Sequence, residues 1–563
     1  MDKPWLRNYE PEVPATLKYP QTTLHYNLEQ AARKHPDAPA TIFMDAQLNY
    51  AQLNELADRF AAGLQSLGVK KGDRVAVYVA NSPQFIMAYY GALKAGAVVV
   101  PFNPLYGSSE VRHQLRDSGA ETAVVMSRFY PIVKEVRSET PLKRVLVTNI
   151  KEYFPSLLRL LFTVVKEAKE GDRQSIAGDP DTYWYQEFIG NAPPRPSLVA
   201  VAPSDTAALI YTGGTTGVPK GAELSHFSLN ANALQCRAWM HHCQEGQETI
   251  LAALPLFHSF GMTTCMNFAV LMSSAMLLIP NPREVASILE KVAKWHPTVF
   301  PGVPAMYLSF ASFPNVGRYD IRSIRACLSG AAPLPPEIQE RFSKLTGAHL
   351  VEGYGLSEAA PVTHANPVFG QGRPGSIGLP FPDTEARIVD IKTGTKEVPR
   401  GEPGELIVRG PQVMKGYWNM PGETANALRD GWLYTGDIAT MDEDGYFRIV
   451  DRKKDMIIAS GYNVYPRDVE QVLYQHPKVM EAVAAGIPDG ARGETVKAYI
   501  VLKPGETATP QEFIAYCRSK LAAYKVPEYV EFRTELPKTI VGKVLRRMLV
   551  EEEKRRQAAK PPA

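Results

Sequence analysis

Two hydrophobic rhythms alternate along this chain. Short runs rich in β-branched residues read as strands buried on both faces, and longer runs with apolar residues three and four apart read as helices. DRVAVYV (73–79) predicts a buried strand, SPQFIMAYYGALKAG (82–96) a helix ending at glycine, and AVVVPFNP (97–104) the next strand. The rhythm returns at AALIYT (207–212), SHFSLNANALQCRAWM (225–240) and ILAALP (250–255), which predicts an α/β architecture with mainly parallel sheet. After about residue 375 the texture changes. EARIVD, GELIVRG and GYFRIVD, separated by Gly, Pro and Asp turns, predict a small antiparallel, β-barrel-like subdomain. A charged turn, DRKKD (451–455), precedes a new alternation: YPRDVEQVLYQHP (helix), VMEAVAAGIP and TVKAYIVLKP (strands), TPQEFIAYCRSKL (helix). The expected organisation is a large N-terminal domain over 1–450, made of two α/β subdomains plus the small barrel, a hinge at 451–455, and a small α+β domain over 456–563.

One amphipathic segment looks inserted. YFPSLLRLLFTVVKEAK (153–169) sets Leu157, Leu158, Leu161, Phe162 and Val165 on one helical face, with Lys166 and Lys169 beyond it. Two readings fit: a helix packed on its own protein, or a surface contact with membrane that serves a lipid substrate.

Composition narrows the function classes. The 563 residues are enough for several domains, and 45% hydrophobic with 21% charged residues excludes wholesale disorder. Lys and Arg number 62 against 59 Asp and Glu, a net charge of +3, so no bulk charge points to nucleic acid; KRRQAAK (554–560) reads as a basic terminus. Five scattered cysteines without a CxxC support neither a disulfide framework nor a zinc ribbon, and they suit a reducing compartment. The start carries no secretion signal, and the greasiest run, FAVLMSSAMLLI (268–279), stops at Pro280, short of the roughly 18–20 residues that cross a bilayer. A cytoplasmic protein follows, with peripheral contact to the inner face of the membrane as the extension that 153–169 would allow.

The strongest chemical signal is YTGGTTGVPKGAELSH (211–226), read as a loop between a strand and a helix start at Ser225. Gly213, Gly214 and Gly217 let backbone N–H groups approach an anion, Thr212, Thr215 and Thr216 add hydroxyl donors, and Lys220 adds charge. A polyphosphate fits such a loop, although GxxxxGK[ST] is not matched. Gly370, Gly372 and Gly375 satisfy GxGxxG by spacing only, since Pro374 and SIGLPFP leave no helix to receive a pyrophosphate. GxSxG and HExxH are absent, and the adjacent His241, His242 and Cys243 read as a solvated helix end rather than a metal site. LSGAAPLPP (328–336) and LVEGYGLSE (350–358) read as strand ends opening into loops, where open α/β sheets bind ligands. There Tyr354 is placed to stack on a base, Ser357 to meet phosphate and Glu358 to hold a divalent cation; further on, Asp437 is placed to accept from two ribose hydroxyls.

Taken in order, these segments resemble the acyl-adenylate-forming superfamily of acyl-CoA synthetases, amino-acid adenylation domains and firefly luciferase, over nearly the whole chain. SGYNVYPRDVE (460–470) and YKVPEYVEFRTELPKTIVGKVLRR (524–547) extend the resemblance to the C-terminus. WLRNYEPEVP, NPLYGSSEVRHQLRDSGA (103–120), GSIGLPFPDTEARIVD (375–390) and GPQVMKGYWNMPGET (410–424) are most similar to bacterial long-chain fatty acid–CoA ligases. Where the amino-acid-activating branch carries an aspartate after the phenylalanine of LPLFHSFG, this chain has His258, flanked by Phe257, Phe260, Met262 and Cys265. That departure favours a plain acid with an apolar tail.

The resemblance implies two half-reactions, with ATP, Mg²⁺ and CoA. A fatty acid attacks the α-phosphorus of ATP and expels pyrophosphate; the CoA thiol then takes the acyl group and releases AMP. It implies that 212–217 and Lys220 hold phosphates, with Glu358 and Thr212 at Mg²⁺. Gly330, Ala331, Ala332, Glu352, Gly353, Tyr354, Gly355 and Ser357 would line the nucleotide, and Asp437 and Arg452 the ribose. His258 lies by the acid, and Lys543 bridges carboxylate and phosphates during adenylation. Lys454 matches the hinge about which the C-terminal domain turns, bringing the turn with Gly461 over the pantetheine arm. A homodimer is implied only by analogy. Other acceptors (a fatty acyl–AMP ligase or a carrier-protein loader) and medium-chain or aryl acids stay open at this stage.

Overall fold

A computed structural model describes residues 3–212, 219–459, 462–489, 493–538 and 544–558. Two large sheets face each other across helices. In the first, strands His349–Gly355, Ala326–Ser329, Val299–Gly302, Thr249–Ala252, Ala275–Leu278 and Pro39–Phe43 run parallel in that order, with antiparallel strands added at both edges. In the second, Thr206–Thr212, Val98–Pro101, Arg74–Tyr78, Thr122–Met126, Arg144–Thr148 and Thr182–Trp184 run parallel. The valine-rich strands are apolar at consecutive positions because helices cover both of their faces.

The helix between the sheets is the expected one. Pro83–Lys94 begins with proline in its first turn after Ser82 and is buried throughout, as a helix that is apolar all round must be. Its chain reverses at Gly96, whose φ of +79° suits glycine. Just before it, Asn81 donates to the Ala252 and Leu254 carbonyls at 3.1 and 2.8 Å and accepts from the Leu256 N–H at 2.9 Å, tying the two sheets together. The one ammonium on this helix, Lys94, is satisfied by Asp58 at 2.5 Å and Asn54 at 2.7 Å.

The third sheet, Glu385–Val389, Gly404–Arg409, Trp432–Met441, Phe447–Arg452 and Leu428–Arg429, is antiparallel, as the short strands and turns predict. The small C-terminal α+β domain pairs Val479–Asp489 with Gly493–Leu502 and packs Pro466–Tyr474 and Pro510–Arg518 on them. Among the described residues no helix is long and apolar enough to cross a membrane.

Three expectations need correction. Residues 220–225 form a strand, Lys220–Ser225, antiparallel to Thr206–Thr212, so a second strand stands between the glycine–threonine segment and the helix. The helix does start after Ser225, whose hydroxyl accepts from the Ser228 N–H at 3.0 Å. His241 is not solvated: it pairs with Glu10 at 3.3 Å and packs against Phe369, and Cys243 is buried. Helix Ser156–Val165 buries only Phe162 of its expected face.

Candidate active site

The C-terminal ends of the parallel strands in the first sheet meet the hairpin of the second and the edge of the third. Strand Ala326–Ser329 ends in Gly330, Ala331 and Ala332, and Ala331 takes a left-handed φ of +66° that turns the chain sharply. A Cβ on Gly330 would lie 3.0 Å from the Phe260 ring, so glycine there lets the loop pass directly over that ring. Phe260 follows His258, whose Nδ1 accepts from the Phe260 N–H at 3.3 Å and caps the short helical turn Ser259–Gly261. The Ser259 hydroxyl meets Ser357 at 3.0 Å. His258 and Ser357, far apart in sequence, thus share one corner.

The neighbouring strand, His349–Gly355, carries Glu352, Gly353, Tyr354 and Gly355. The Tyr354 hydroxyl donates to Asp437 Oδ2 at 2.5 Å, and Arg452 approaches the other Asp437 oxygen at 3.4 Å. Asp437 and Arg452 are register partners across two strands of the third sheet, which fixes this triad. Burial, then the Asp437 charge, push the Tyr354 phenol well above its usual range, so it remains a donor. Glu352 stands apart from the triad. It is buried near Arg467 and Arg448 and accepts from the Leu334 N–H; burial outweighs them and raises its carboxyl to about 7.

On the other side, Thr212 and Lys220 face each other at the base of the hairpin. Lys220 pairs with Glu423 and sits 5.2 Å from the centre of the Tyr417 ring, while the Tyr417 hydroxyl donates to Glu358 at 2.8 Å. Burial, then the Glu358 charge, keep the Tyr417 phenol protonated. A cation, a carboxylate and a phenol therefore form one line from the hairpin to the strand end. The Lys220 hydrogen bond holds the Glu423 carboxyl below its usual range, and Lys454 in the charged turn adds to the same effect. Lys454 therefore lies near this corner.

Gly213, Gly214, Thr215, Thr216, Gly217, Gly461 and Lys543 lie outside the described residues. Tyr417, Glu423 and Ser259 belong to the site although no local chemistry in the sequence singled them out. Tyr417 and Glu423 stand in the segment 410–424 and Ser259 in LPLFHSFG, both of which carry the resemblance to known ligases without giving these three residues a role.

A small apolar cavity of about 20 Å³, room for roughly one water molecule, is lined by Cys236, Trp239, Met240, Thr264, Phe268, Val299, Pro301, Leu328, Val368 and Phe381. No charged side chain lines it. It takes Thr264 and Phe268 from 257–279, Pro301 from 300–310, and Cys236 and Trp239 from the helix His226–Trp239. A six-residue π-helical stretch, Met262–Asn267, lets Thr263 donate to the Ala360 carbonyl at 2.6 Å and so binds this wall to the strand end.

The charged turn 451–455 is also connected. Asp451 accepts from the Arg467 N–H at 2.8 Å, and Arg467 donates to the Ile449 carbonyl at 2.6 Å. Arg546 binds Asp455 at 2.8 Å and Glu470 at 2.8 Å. Burial raises the Asp451 carboxyl to about 6 despite Arg546 and two backbone donors.

Chemically, the arrangement offers cationic and hydroxyl donors at one end and a tyrosine–carboxylate–guanidinium triad at the other. Residues 28–418 match the family model described as AMP-binding enzyme, and 468–543 match the AMP-binding enzyme C-terminal domain. The chain is 46% identical to a long-chain-fatty-acid–CoA ligase of Bacillus subtilis, over 98% of each chain. The ATP-bound crystal structure of MatB from Rhodopseudomonas palustris superposes with a TM-score of 0.82 at 29% identity, covering 95% of this chain and 99% of that one. The apo structure of the same protein, with equal coverage and identity, superposes at 0.72. By sequence over its whole length, and by fold, this chain belongs to the AMP-binding enzyme family.

Proposed function

We propose that the chain is an AMP-forming long-chain fatty acid–CoA ligase. It joins a fatty acid to ATP, giving acyl-adenylate and pyrophosphate, and passes the acyl group to the thiol of CoA with release of AMP. The observation that carries this reading is the likeness, over 98% of each chain, to a long-chain-fatty-acid–CoA ligase, joined to the Lys220–Tyr417–Glu358 cluster and the Tyr354–Asp437–Arg452 triad at the end of one strand. The carboxylate of the acid is placed by His258, between a phosphate end and a nucleoside end.

The chemistry explains the residue set. Oxide is too poor a leaving group for a thiol to attack a carboxylate directly, so AMP is installed first. The carboxylate oxygen bonds the α-phosphorus, and the α–β bridging oxygen leaves with pyrophosphate. Anions must approach one another, which requires fixed cations and dipoles aimed at the developing charge. Lys220, Thr212 and the 213–217 backbone take the β- and γ-phosphates, for which Lys220 exchanges Glu423. Tyr354 flanks the adenine with Ala331 and Ala332, and Asp437, held by Tyr354 and Arg452, accepts from the ribose hydroxyls. His258 stands by the carboxylate, where an aspartate would repel it. Glu358 and Thr212 are hard oxygen donors of the kind Mg²⁺ takes alongside substrate phosphates, and the hydrogen bond from the Tyr417 hydroxyl orients the Glu358 carboxylate. The metal, when bound, neutralises phosphate charge.

The second half-reaction needs a different neighbour. Lys543, carried by the C-terminal domain, completes the site for adenylation; turning that domain about Lys454 withdraws it and presents 460–463 to the pantetheine arm. The domain limits 1–450, 451–455 and 456–563 follow this division. Support comes from a relative whose apo and ATP-bound forms fit this chain unequally.

Purified protein with Mg²⁺, ATP and palmitate is expected to release pyrophosphate, and on adding CoA to form palmitoyl-CoA and AMP stoichiometrically. Formation of ADP and orthophosphate would overturn the reading. A series of acids from acetate to oleate, with highest kcat/KM at the long end, tests the chain length.

A further inference from the structure

The helix Ser156–Val165 turns its greasier side away from the protein. Leu157, Leu160, Leu161, Val164 and Val165 are 70, 60, 51, 73 and 66% exposed. Their spacing of three and four residues makes them one continuous outer stripe. The opposite side is pinned. Phe162 is buried edge-on against Phe154, which packs on Phe43. Arg159 binds Glu152 at 2.7 Å, and Arg173 donates to the Thr163 carbonyl at 2.7 Å. Beyond the helix, Glu167 pairs with Lys151 at 2.5 Å, and buried Asp172 with Arg128 and Ser127. A ten-residue helix is marginal in water by itself, so these fastenings hold it in place with its apolar stripe outward.

We propose that this stripe is a docking face for a phospholipid bilayer with anionic headgroups. Three observations favour that occupant. At ten residues the helix is about 15 Å long, too short to span and suited to lying in the headgroup plane. The stripe is a single ridge of on the order of a few hundred Å², well below the roughly 800 Å² per partner that a stable dimer buries. The charge beyond its C-terminal end is complementary: Lys166 and Lys169 are exposed, whereas Glu167 and Asp172 are buried and Glu170 is drawn to Arg128. The inference deepens the fatty-acid reading, because a long acid concentrates in the bilayer, and its test needs no acid.

The full-length protein, without ATP, acid or CoA, is expected to cosediment with phosphatidylethanolamine–phosphatidylglycerol vesicles and much less with phosphatidylcholine vesicles. The double variant Leu160→Glu/Val164→Glu should partition at least about tenfold more weakly, with unchanged thermal unfolding and unchanged turnover of octanoate in solution. Lys166→Glu/Lys169→Glu should weaken binding to the anionic vesicles alone. Equal partition of wild type and the leucine–valine variant, absence of binding to either vesicle, or a dimer in sedimentation velocity that this variant dissociates would overturn the proposal. Vesicle binding without pyrophosphate release from palmitate would instead sink the fatty-acid reading and leave the docking face standing.

Discussion

Burial holds the Glu352 carboxyl at about 7 rather than its usual 4.5, against the opposing pull of Arg467, the Leu334 N–H and Arg448. A folded-state value above the unfolded one means that the native protein keeps this proton longer. Its contribution to stability is present at low pH and is lost as pH rises from 4.5 through about 7. A shift of that size is worth about 3 kcal/mol. Glu352→Gln keeps the shape without the charge, so urea unfolding should show it gaining on wild type by up to ~3 kcal/mol across that window; parallel stability curves would dismiss the buried-acid account. Asp451, raised to about 6, acts with the same sign in the lower part of the same window. Glu423 is a second test at this scale. It occupies Lys220 where phosphate is proposed to bind, so Glu423→Gln should lower KM for ATP about two- to threefold, the scale of an exposed ion pair, with kcat little changed. A raised KM would mean that Glu423 orients Lys220 rather than competing for it. Tyr354 and Asp437 stand in segments whose residue types suit a nucleoside, whereas Arg452 is singled out only by the family resemblance. Tyr417 and Glu423 were not legible, because their meeting with Glu358 and Lys220 depends on pairing Gly416–Tyr417 with a strand about two hundred residues away, which no local pattern encodes.

Among the elements, the strand His349–Gly355 carries a tight backbone constraint at the candidate site. Its last residue packs so closely on the chain at Pro361 and Val362 that a Cβ there would collide with the Pro361 carbonyl oxygen. Gly355→Ala therefore has to push two backbones apart, and a cost of about 1–3 kcal/mol is expected. Because Tyr354 and Ser357 flank it, kcat/KM should fall further than the loss of thermal stability explains; a variant with wild-type melting and activity would show that the contact yields freely. The rhythm of strands and helices was readable wherever burial on both faces made the pattern unambiguous, as in Arg74–Tyr78, Pro83–Lys94 and Val98–Pro101. It failed at Lys220–Ser225, where a lysine and a glutamate interrupt the apolar run. A strand that pairs antiparallel beside the ligand loop can carry such residues because its partner strand, not its own hydrophobicity, holds it. For the helix Ser156–Val165, periodicity gave the element but not its direction: apolar side chains surround most of the helix, and only the tertiary anchors Phe162 and Arg159 decide which of them face outward.

At the scale of the whole molecule, the two half-reactions ask for incompatible neighbours at one site, and the chain has one narrow join at which to exchange them. Strand Phe447–Arg452 belongs to the third sheet, and Ile457–Ala459 already belongs to the C-terminal one, so only a few residues around Lys454 connect two separate hydrogen-bonded networks. Across that join the holding contacts are polar: Arg467 with Asp451 and Ile449, and Arg546 with Asp455. Polar contacts of this kind re-form with water when broken, whereas a large apolar interface would resist turning. Lys454→Pro fixes φ near −65° and removes the freedom that a turn requires. It should leave adenylation, followed as pyrophosphate release, within a few-fold of wild type while cutting thioester formation from supplied acyl-adenylate by one to two orders of magnitude. Lys543→Ala should do the reverse, since losing a positioned charge typically costs about two to three orders of magnitude in the step that develops charge. The pair is informative because opposite selectivities cannot arise from general damage to the fold. If both variants lost both half-reactions equally, a rotating C-terminal domain would have to be abandoned in favour of a single static site.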